Sequence, residues 1–118
     1  MTDEREGGLL RWQLELYPGN HTTRANLIVH ALTVPWFWTG TLALLSSPIG
    51  GYRLALSGVF AMALAMFLQG RMHRSEPTPP VPFRGPLDVV ARIFAEQWIT
   101  FPRFVFGGGF TKAWRASD

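Results

Sequence analysis

The longest uncharged stretch of the chain is the feature that most constrains its fold. Residues 27–45 contain no Asp, Glu, Lys or Arg. As an α-helix, this stretch would be about 28 Å long, close to the ~30 Å thickness of the hydrocarbon core of a bilayer. Pro35 removes one backbone hydrogen bond inside it and predicts a kink. The stretch is therefore predicted to be a membrane-spanning helix.

A second apolar stretch predicts the partner of this helix. Residues 54–68 would form about 22 Å of helix. Residues 47–51, with one proline and two glycines, predict a tight turn between the two stretches. Together they predict a helical hairpin. More arginines flank its open end than its turn, so both termini are expected in the cytoplasm, at the inner membrane if the source is a bacterium.

The composition agrees with a small membrane protein. The 118 residues amount to one domain, and 16% of them are charged, against about 25% in an average soluble domain. The arginines are scattered along the sequence, which favours contact with anionic lipid head groups and argues against binding to nucleic acid. The absence of cysteine excludes thiolate ligands and disulfides.

The flanks of the hairpin predict amphipathic helices in an all-α protein. Residues 1–8 predict a polar tail, and residues 9–16 predict a short amphipathic helix. Residues 75–86 contain five prolines and predict an extended segment. Residues 87–101 again show helical spacing of apolar residues, and they predict a helix that lies at the membrane interface or covers the hairpin.

The predicted helix 87–101 has two unlike faces. We expect its apolar face to be covered and its charged face to be solvated. If the helix instead lies across the mouth of the hairpin, Arg92, Glu96 and Gln97 could reach a site there. Pro102 is expected to end or kink the helix. The apolar face comprises Val90, Ile93, Phe94, Gln97 and Phe101, and the charged face comprises Asp88, Arg92 and Glu96.

All three histidines map to one end of the predicted hairpin. His30 lies inside the first apolar stretch, His21 lies in the turn before it, and His73 follows the second stretch. Ionisable groups inside an apolar span are commonly functional. The pattern predicts a shared metal or proton site, and imidazole ligands suit Fe(II) or Zn(II). The alternative is a head-group contact at His21, a hydrogen-bonded core residue at His30 and a helix cap at His73.

Two motifs around these histidines resemble one protein family. The N-terminal motif is similar to the opening motif of the small membrane proteins typified by the fungal 2-hydroxy fatty acid dioxygenase. The C-terminal motif resembles the family's later histidine, glutamate and proline-rich helix exit. The N-terminal motif comprises Tyr17, His21, Asn26, His30 and Pro35, and the C-terminal motif comprises His73, Glu76, Pro80, Phe83 and Pro86.

The resemblance implies an iron(II)-dependent oxygenase that cleaves a 2-hydroxy fatty acid to an acid one carbon shorter. It implies His21, His30 and His73 as iron ligands. It also implies that Asn26 and Glu76 support these ligands or complete the coordination. The hairpin would supply an apolar groove for the fatty-acid chain.

Arg71 is a further candidate that the resemblance singles out. The family usually has a histidine directly after the glycine that corresponds to Gly70, and here Arg71 follows it. If His73 supplies the ligand, Arg71 could bind the substrate carboxylate. Two other functions are compatible with the sequence. One is a non-enzymatic membrane protein that binds a partner complex, and the other is a bis-histidine haem carrier.

Overall fold

The computed structural model describes Arg5 and residues 7–117, so the predicted tail at residues 1–4 and 6 lies outside the described residues. Every regular element in this part of the chain is helical, as the sequence predicts. The α-helices are α1 (Leu9–Leu16), α2 (Arg24–Gly50), α3 (Tyr52–Met72), α4 (Pro86–Ala95), α5 (Phe101–Phe106) and α6 (Gly109–Ala116).

Helices α2 and α3 pack along each other as a hairpin and are both long and apolar enough to cross a membrane. They are about 40 Å and 32 Å long at 1.5 Å per residue. The predicted turn at residues 47–51 is wrong, because α2 continues to Gly50 and the chain reverses at Gly51. Gly51 has a φ of 101°, a conformation that favours glycine.

Pro48 lies inside α2 because a side chain replaces the hydrogen bond that proline cannot make. In a regular helix the N–H at position 48 would donate to the carbonyl of Leu44. The Ser47 hydroxyl donates to that carbonyl instead, at 2.7 Å. The carbonyl of Leu44 therefore keeps a donor where the helix passes through this proline.

Two glycines bring the hairpin helices together towards the closed end. A Cβ built on Gly40 would lie 2.7 Å from the carbonyl oxygen of Gly58, and a Cβ on Gly58 would collide with the carbonyl oxygen of Gly40. Small residues at such crossings allow close contact between backbones.

The chain from α4 to α5 is one continuous helical segment with a wide turn at Glu96–Thr100. The expected break at Pro102 does not occur. In the wide turn the Phe101 N–H donates to Glu96 O, five residues back, and Pro102 has no N–H to offer Gln97 O. The indole N–H of Trp38 donates to Gln97 O instead, at 2.6 Å. The segment is thereby fastened to α2.

The predicted orientation of this segment is wrong in part. Gln97 and Phe101 of the predicted covered face are buried, but Val90 of the same face is 56% exposed and Arg92 of the predicted solvated face is buried. The polar side chains face inward because polar partners from other helices meet them there. For example, Gln13 of α1 donates to the carbonyl of Arg92 at 3.0 Å and accepts from the Thr100 hydroxyl.

Candidate metal centre

Two buried imidazole rings are fixed in matching ways by backbone carbonyls. His21 follows a 3-10 turn, Tyr17–Asn20, and its Nδ1 lies 2.8 Å from the carbonyl oxygen of Tyr17. His30 is completely buried on α2, and its Nδ1 lies 3.0 Å from the carbonyl oxygen of Asn26. A carbonyl oxygen can only accept, so each Nδ1 carries a proton and donates it. Each neutral ring then presents Nε2 as a bare lone pair.

These two lone pairs face each other. The Nε2 atoms of His21 and His30 are 3.3 Å apart. Neither nitrogen can donate when both rings are neutral, so a shared proton or a metal ion between the nitrogens would account for the contact. Two nitrogens bound to one tetrahedral metal ion at about 2.05 Å lie roughly 3.3 Å apart. The observed separation therefore matches that of two ligands of one ion.

His73 and Glu96 complete a group of four possible ligands. The His73 ring centroid lies 4.7 Å from that of His21 and 5.2 Å from that of His30. Glu96 Oε2 lies 3.8 Å from His21 Nε2 and 3.5 Å from His30 Nε2. One ligand atom from each of the four residues lies within 4.8 Å of the others. A His/His/His/Glu group of this kind is compatible with metal binding.

A buried atom without a hydrogen-bond partner also lies in this group of possible ligands. Within the described part of the chain, the buried Nδ1 of His73 has no hydrogen-bond partner. Buried polar atoms are seldom left without a partner, and coordination of an ion is one explanation for an exception. Carbonyls that fix the other imidazole nitrogens are the usual outer support of histidine metal ligands. The residues present therefore fit a transition-metal ion.

The electrostatics keep these groups ready to act as ligands. Burial and, to a smaller extent, the neighbouring His30 lower the pKa of His21 from 6.5 to about 3. Burial raises the pKa of Tyr17, and the negative charge of Glu96 adds to this effect, so the phenol keeps its proton. The Tyr17 hydroxyl donates that proton to Glu96 Oε2 at 2.9 Å. The site thus holds a neutral imidazole and an oriented carboxylate.

Glu96 is not among the metal ligands predicted from the sequence, because the charged face of its helix was expected to be solvated and its approach to a site was the alternative. The structure brings Glu96 to the histidines, as that alternative describes. A usable signal was present in the sequence: Arg92, Glu96 and Gln97 form a polar cluster in a chain with few charges. In a chain of this type, such a cluster indicates an interior polar surface.

Glu76 and Asn26 lie next to the four-residue group and outside it. The Glu76 carboxylate accepts the backbone N–H groups of Thr22 and Thr23 at 2.9–3.0 Å, together with both hydroxyls and the Asn26 amide. It therefore covers the start of α2, where Thr23 is the N-cap. Asn26 links this contact to His30 through its carbonyl. Glu76 therefore holds Asn26, and Asn26 holds the His30 ring, on the side away from the possible metal position.

Arg71 is not brought to the cluster. Its side chain is exposed on α3, with the guanidinium 5.9 Å from the ring centroid of Phe67. It borders an outward-facing depression that Trp36 also lines. The structure thus places His73, and not Arg71, among the possible ligands. The predicted role of Arg71 in binding a substrate next to the histidines does not fit its position.

A cavity of about 410 Å³ adjoins the cluster. Its volume lies within the range of ligand pockets in proteins, about 300–1,000 Å³. His73 and Glu96 form part of its wall, and the remainder is mostly apolar. A smaller cavity of about 50 Å³ also reaches His21, His73 and Glu96. The cluster is therefore accessible to a ligand with an apolar body.

No protein-family model, curated protein or solved structure matches this chain. The cluster, the adjoining cavity and the exposed apolar surface therefore carry the functional inference. The family resemblance of the two sequence motifs remains a prediction.

Proposed function

We propose that this protein is a membrane-embedded, metal-dependent enzyme that acts on a lipid-like acid. One observation carries the proposal: the bare Nε2 atoms of His21 and His30 face each other at 3.3 Å. A third imidazole and a carboxylate stand beside them. A shared proton would account for the pair alone, whereas a metal ion accounts for all four groups.

The membrane placement is supported by the surface of the hairpin. Along α3 only Gly58, Ala65 and Gln69 are buried. Large apolar side chains such as Phe60, at 67% exposed, face outward. Large continuous apolar surfaces of this kind are rare on soluble monomers. We propose that α2 and α3 both cross the bilayer, with both termini on the cytoplasmic side.

We propose Fe(II) as the ion. Imidazole and carboxylate ligands suit several first-row metals, and sites built from histidines and one carboxylate are typical of non-haem Fe(II) oxygenases. Iron bound here would supply Lewis acidity and electron transfer to dioxygen. His21, His30, His73 and Glu96 would hold it, and the Tyr17 hydrogen bond would orient the carboxylate.

The substrate we propose is a 2-hydroxy fatty acid. Cleavage of its C1–C2 bond with one dioxygen yields the acid one carbon shorter, carbon dioxide and water, which balances atoms and electrons. The chain's own contribution is to bind the substrate beside the cluster, to orient its polar end and to exclude bulk water. The cavity next to His73 and Glu96 suits these tasks because its wall is mostly apolar.

Metal analysis of detergent-purified protein tests the centre. We expect close to one iron per chain, and a fall of tenfold or more in Glu96→Gln and in His30→Ala. Glu15→Gln is the matched control, because Glu15 is an exposed carboxylate that pairs with Arg11 in the neighbouring turn. Metal-free protein of unchanged stability that co-purifies with a partner would contradict the proposal and favour the non-enzymatic alternative.

Turnover tests the substrate. We expect iron-loaded protein with 2-hydroxyhexadecanoic acid to consume dioxygen and to release pentadecanoic acid, detected by mass spectrometry. Iron-loaded Glu96→Gln should release little product. Product formation at equal rates in the two proteins would exclude this centre as the site of reaction.

The haem alternative has little support from the geometry. Axial imidazole nitrogens on opposite faces of one iron would lie about 4 Å apart, with a porphyrin between them. The 3.3 Å separation of His21 Nε2 and His30 Nε2 leaves no such gap. A Soret band in the purified protein would reverse this conclusion.

A further inference from the structure

We propose that Arg92 binds the carboxylate of the substrate and that Gly70 sets the length of chain that the cavity admits. The inference rests on the proposed function, because it assigns the substrate-binding residues of the same centre. Both residues line the 410 Å³ cavity.

Arg92 is a buried cation with an unused donor. Its Nη1 donates to the carbonyl of Pro82 at 3.1 Å and lies 3.7 Å from Asp88 Oδ2. Its Nε is buried, and no acceptor among the described residues reaches it. Asp88 is already engaged by a two-pronged contact with Arg5, at 2.6 and 2.9 Å. The guanidinium therefore retains capacity for an anion.

The guanidinium is also held in place before any ligand arrives. Its central carbon lies 4.4 Å from the ring centroid of Phe83 and 5.2 Å from that of Trp12. Contacts of this kind restrict the side chain and leave the edge of its planar fork for hydrogen bonds, the geometry that carboxylates match best. A pre-organised arginine loses little entropy when it binds an acid.

The position of Arg92 relative to the cluster suits a substrate that reacts beside its acid group. Arg92 and Glu96 are one helical turn apart, so their Cβ atoms lie about 5–6 Å from each other. Both border the same cavity, together with His73. A carboxylate on Arg92 would therefore place its α-carbon, and a hydroxyl on that carbon, next to the four possible ligands.

Gly70 leaves space that a side chain would fill. A Cβ built on it meets nothing within 4 Å, unlike the Gly40–Gly58 crossing, where backbone contact requires glycine. Glycine inside a helix is destabilising relative to alanine. No packing contact among the described residues requires glycine at position 70. Its missing side chain leaves space in the cavity, whose wall also includes Met66 and Phe83. This part of the cavity suits the chain of the substrate.

Binding of dodecanoic acid and of its methyl ester, measured by calorimetry in detergent, tests Arg92. We expect the natural protein to bind the acid at least tenfold more tightly than the ester, and Arg92→Gln to lose this preference. Arg92→Lys should retain part of it, because the charge remains. Arg71→Gln is the matched control, since it removes an exposed arginine from the neighbouring helix and should leave both affinities unchanged.

Gly70→Phe tests the cavity wall and keeps Arg92 intact. We expect the preference for acid over ester to persist while binding shifts from hexadecanoic towards octanoic acid by about tenfold. An unchanged chain-length profile in folded Gly70→Phe would overturn the role of Gly70. An unchanged acid preference in folded Arg92→Gln would overturn the role of Arg92.

The outcomes also separate this inference from the proposed function. If purified protein holds no metal and Arg92→Gln still abolishes the acid preference, acid binding is supported and the metal centre fails. If iron is bound in near one-to-one amount and Arg92→Gln binds acid and ester as the natural protein does, the metal centre is supported and Arg92 is not the anion site.

Discussion

The two ends of the α2–α3 hairpin are held together by different chemistry. Towards the closed end, Gly40 and Gly58 allow the two backbones to touch, and side chains such as Ile49, at 97% exposed, face outward. At the open end the interior is polar. Gln69 and Gln97 exchange two amide hydrogen bonds at 3.0 and 2.8 Å, and both are completely or almost completely buried.

This difference shows where the chain can support chemistry. Lipid cannot satisfy a polar group, so a membrane protein must pair its interior polar atoms with one another. Towards the closed end, hydroxyl groups meet this requirement within their own helix: Thr41 donates to the carbonyl of Phe37 and Ser47 to that of Leu44. The open end meets it with hydrogen bonds between side chains, and the exceptions among the described residues include His73 Nδ1, Arg92 Nε and the Oδ1 atoms of Asn20 and Asn26. We infer that these exceptions mark the functional end.

Removal of Glu76 should have the largest effect on this comparison. Glu76→Leu leaves the N–H groups of Thr22 and Thr23 and the Asn26 amide without their buried acceptor. We expect a loss of about 3–5 kcal/mol in the free energy of unfolding. Metal content per folded chain should also fall, because Asn26 supports His30.

Unfolding of purified protein in mixed detergent, followed by tryptophan fluorescence, measures the first effect, and metal analysis of the folded fraction measures the second. Glu15→Leu is the control at an exposed carboxylate. If Glu76→Leu and Glu15→Leu are equally stable, Glu76 does not hold the start of α2.

Replacement of one partner of the buried amide pair should have the next largest effect. Gln69→Leu leaves the Gln97 amide unpaired, and an unsatisfied buried group costs about 1–3 kcal/mol. The double variant Gln69→Leu/Gln97→Leu should recover much of this loss, because both partners become apolar. A double-variant cycle of unfolding free energies measures the coupling. Additive losses would show that the pair contributes nothing specific.

The all-helical hairpin could be predicted because long apolar stretches have few other solutions. The helix boundaries could not be predicted. At Pro48 the Ser47 hydroxyl replaces the missing N–H donor, and at Pro102 a wide turn and the Trp38 indole allow the helix to continue. Local propensity treats proline as a helix breaker. Only tertiary structure shows which neighbouring donor replaces its missing N–H.

The histidines of the site could be predicted from topology, because an antiparallel hairpin brings His73 level with His30. For Glu96 and Arg92 the sequence left two positions open, a solvated helix face and the mouth of the hairpin. The solvated face was expected because apolar residues of a helix usually face the protein interior and charged residues face water. In this helix Leu87 is exposed and Arg92 is buried. Where the interior is polar, charged side chains of a helix can face inward.

Crowding at the glycine crossing should have a smaller effect than loss of the amide pair. Gly58→Ala places a methyl group against the Gly40 carbonyl, so the helices must move apart. We expect a loss of about 1–2 kcal/mol. Metal content per folded chain should stay unchanged, because the crossing is remote from the histidines. Gly70→Ala is the control, since its added methyl group meets open space. A loss of metal in Gly58→Ala would show that the two ends are coupled.

The smallest expected effect is the loss of stability at low pH when Glu76, which accepts hydrogen bonds at the start of α2, becomes protonated. Burial raises the pKa of Glu76, but hydrogen bonds from Thr22, Thr23 and Asn26 outweigh it and lower the pKa from 4.5 to about 2. A carboxylate with a lowered pKa stabilises the folded state fully above its unfolded pKa, and this contribution disappears as the pH falls through the folded pKa.

The stability advantage of the natural protein over Glu76→Gln should therefore be constant above about pH 4.5 and should shrink as the pH approaches about 2. We expect about 1 kcal/mol of the advantage to be lost across this window, after allowance for solvent screening. Melting temperatures of the two proteins in detergent, measured in parallel, remove the effect of every other titrating group that they share. A difference that grows towards low pH would mean that protonated Glu76 holds α2 better than the carboxylate, which would reverse the assignment of the cap.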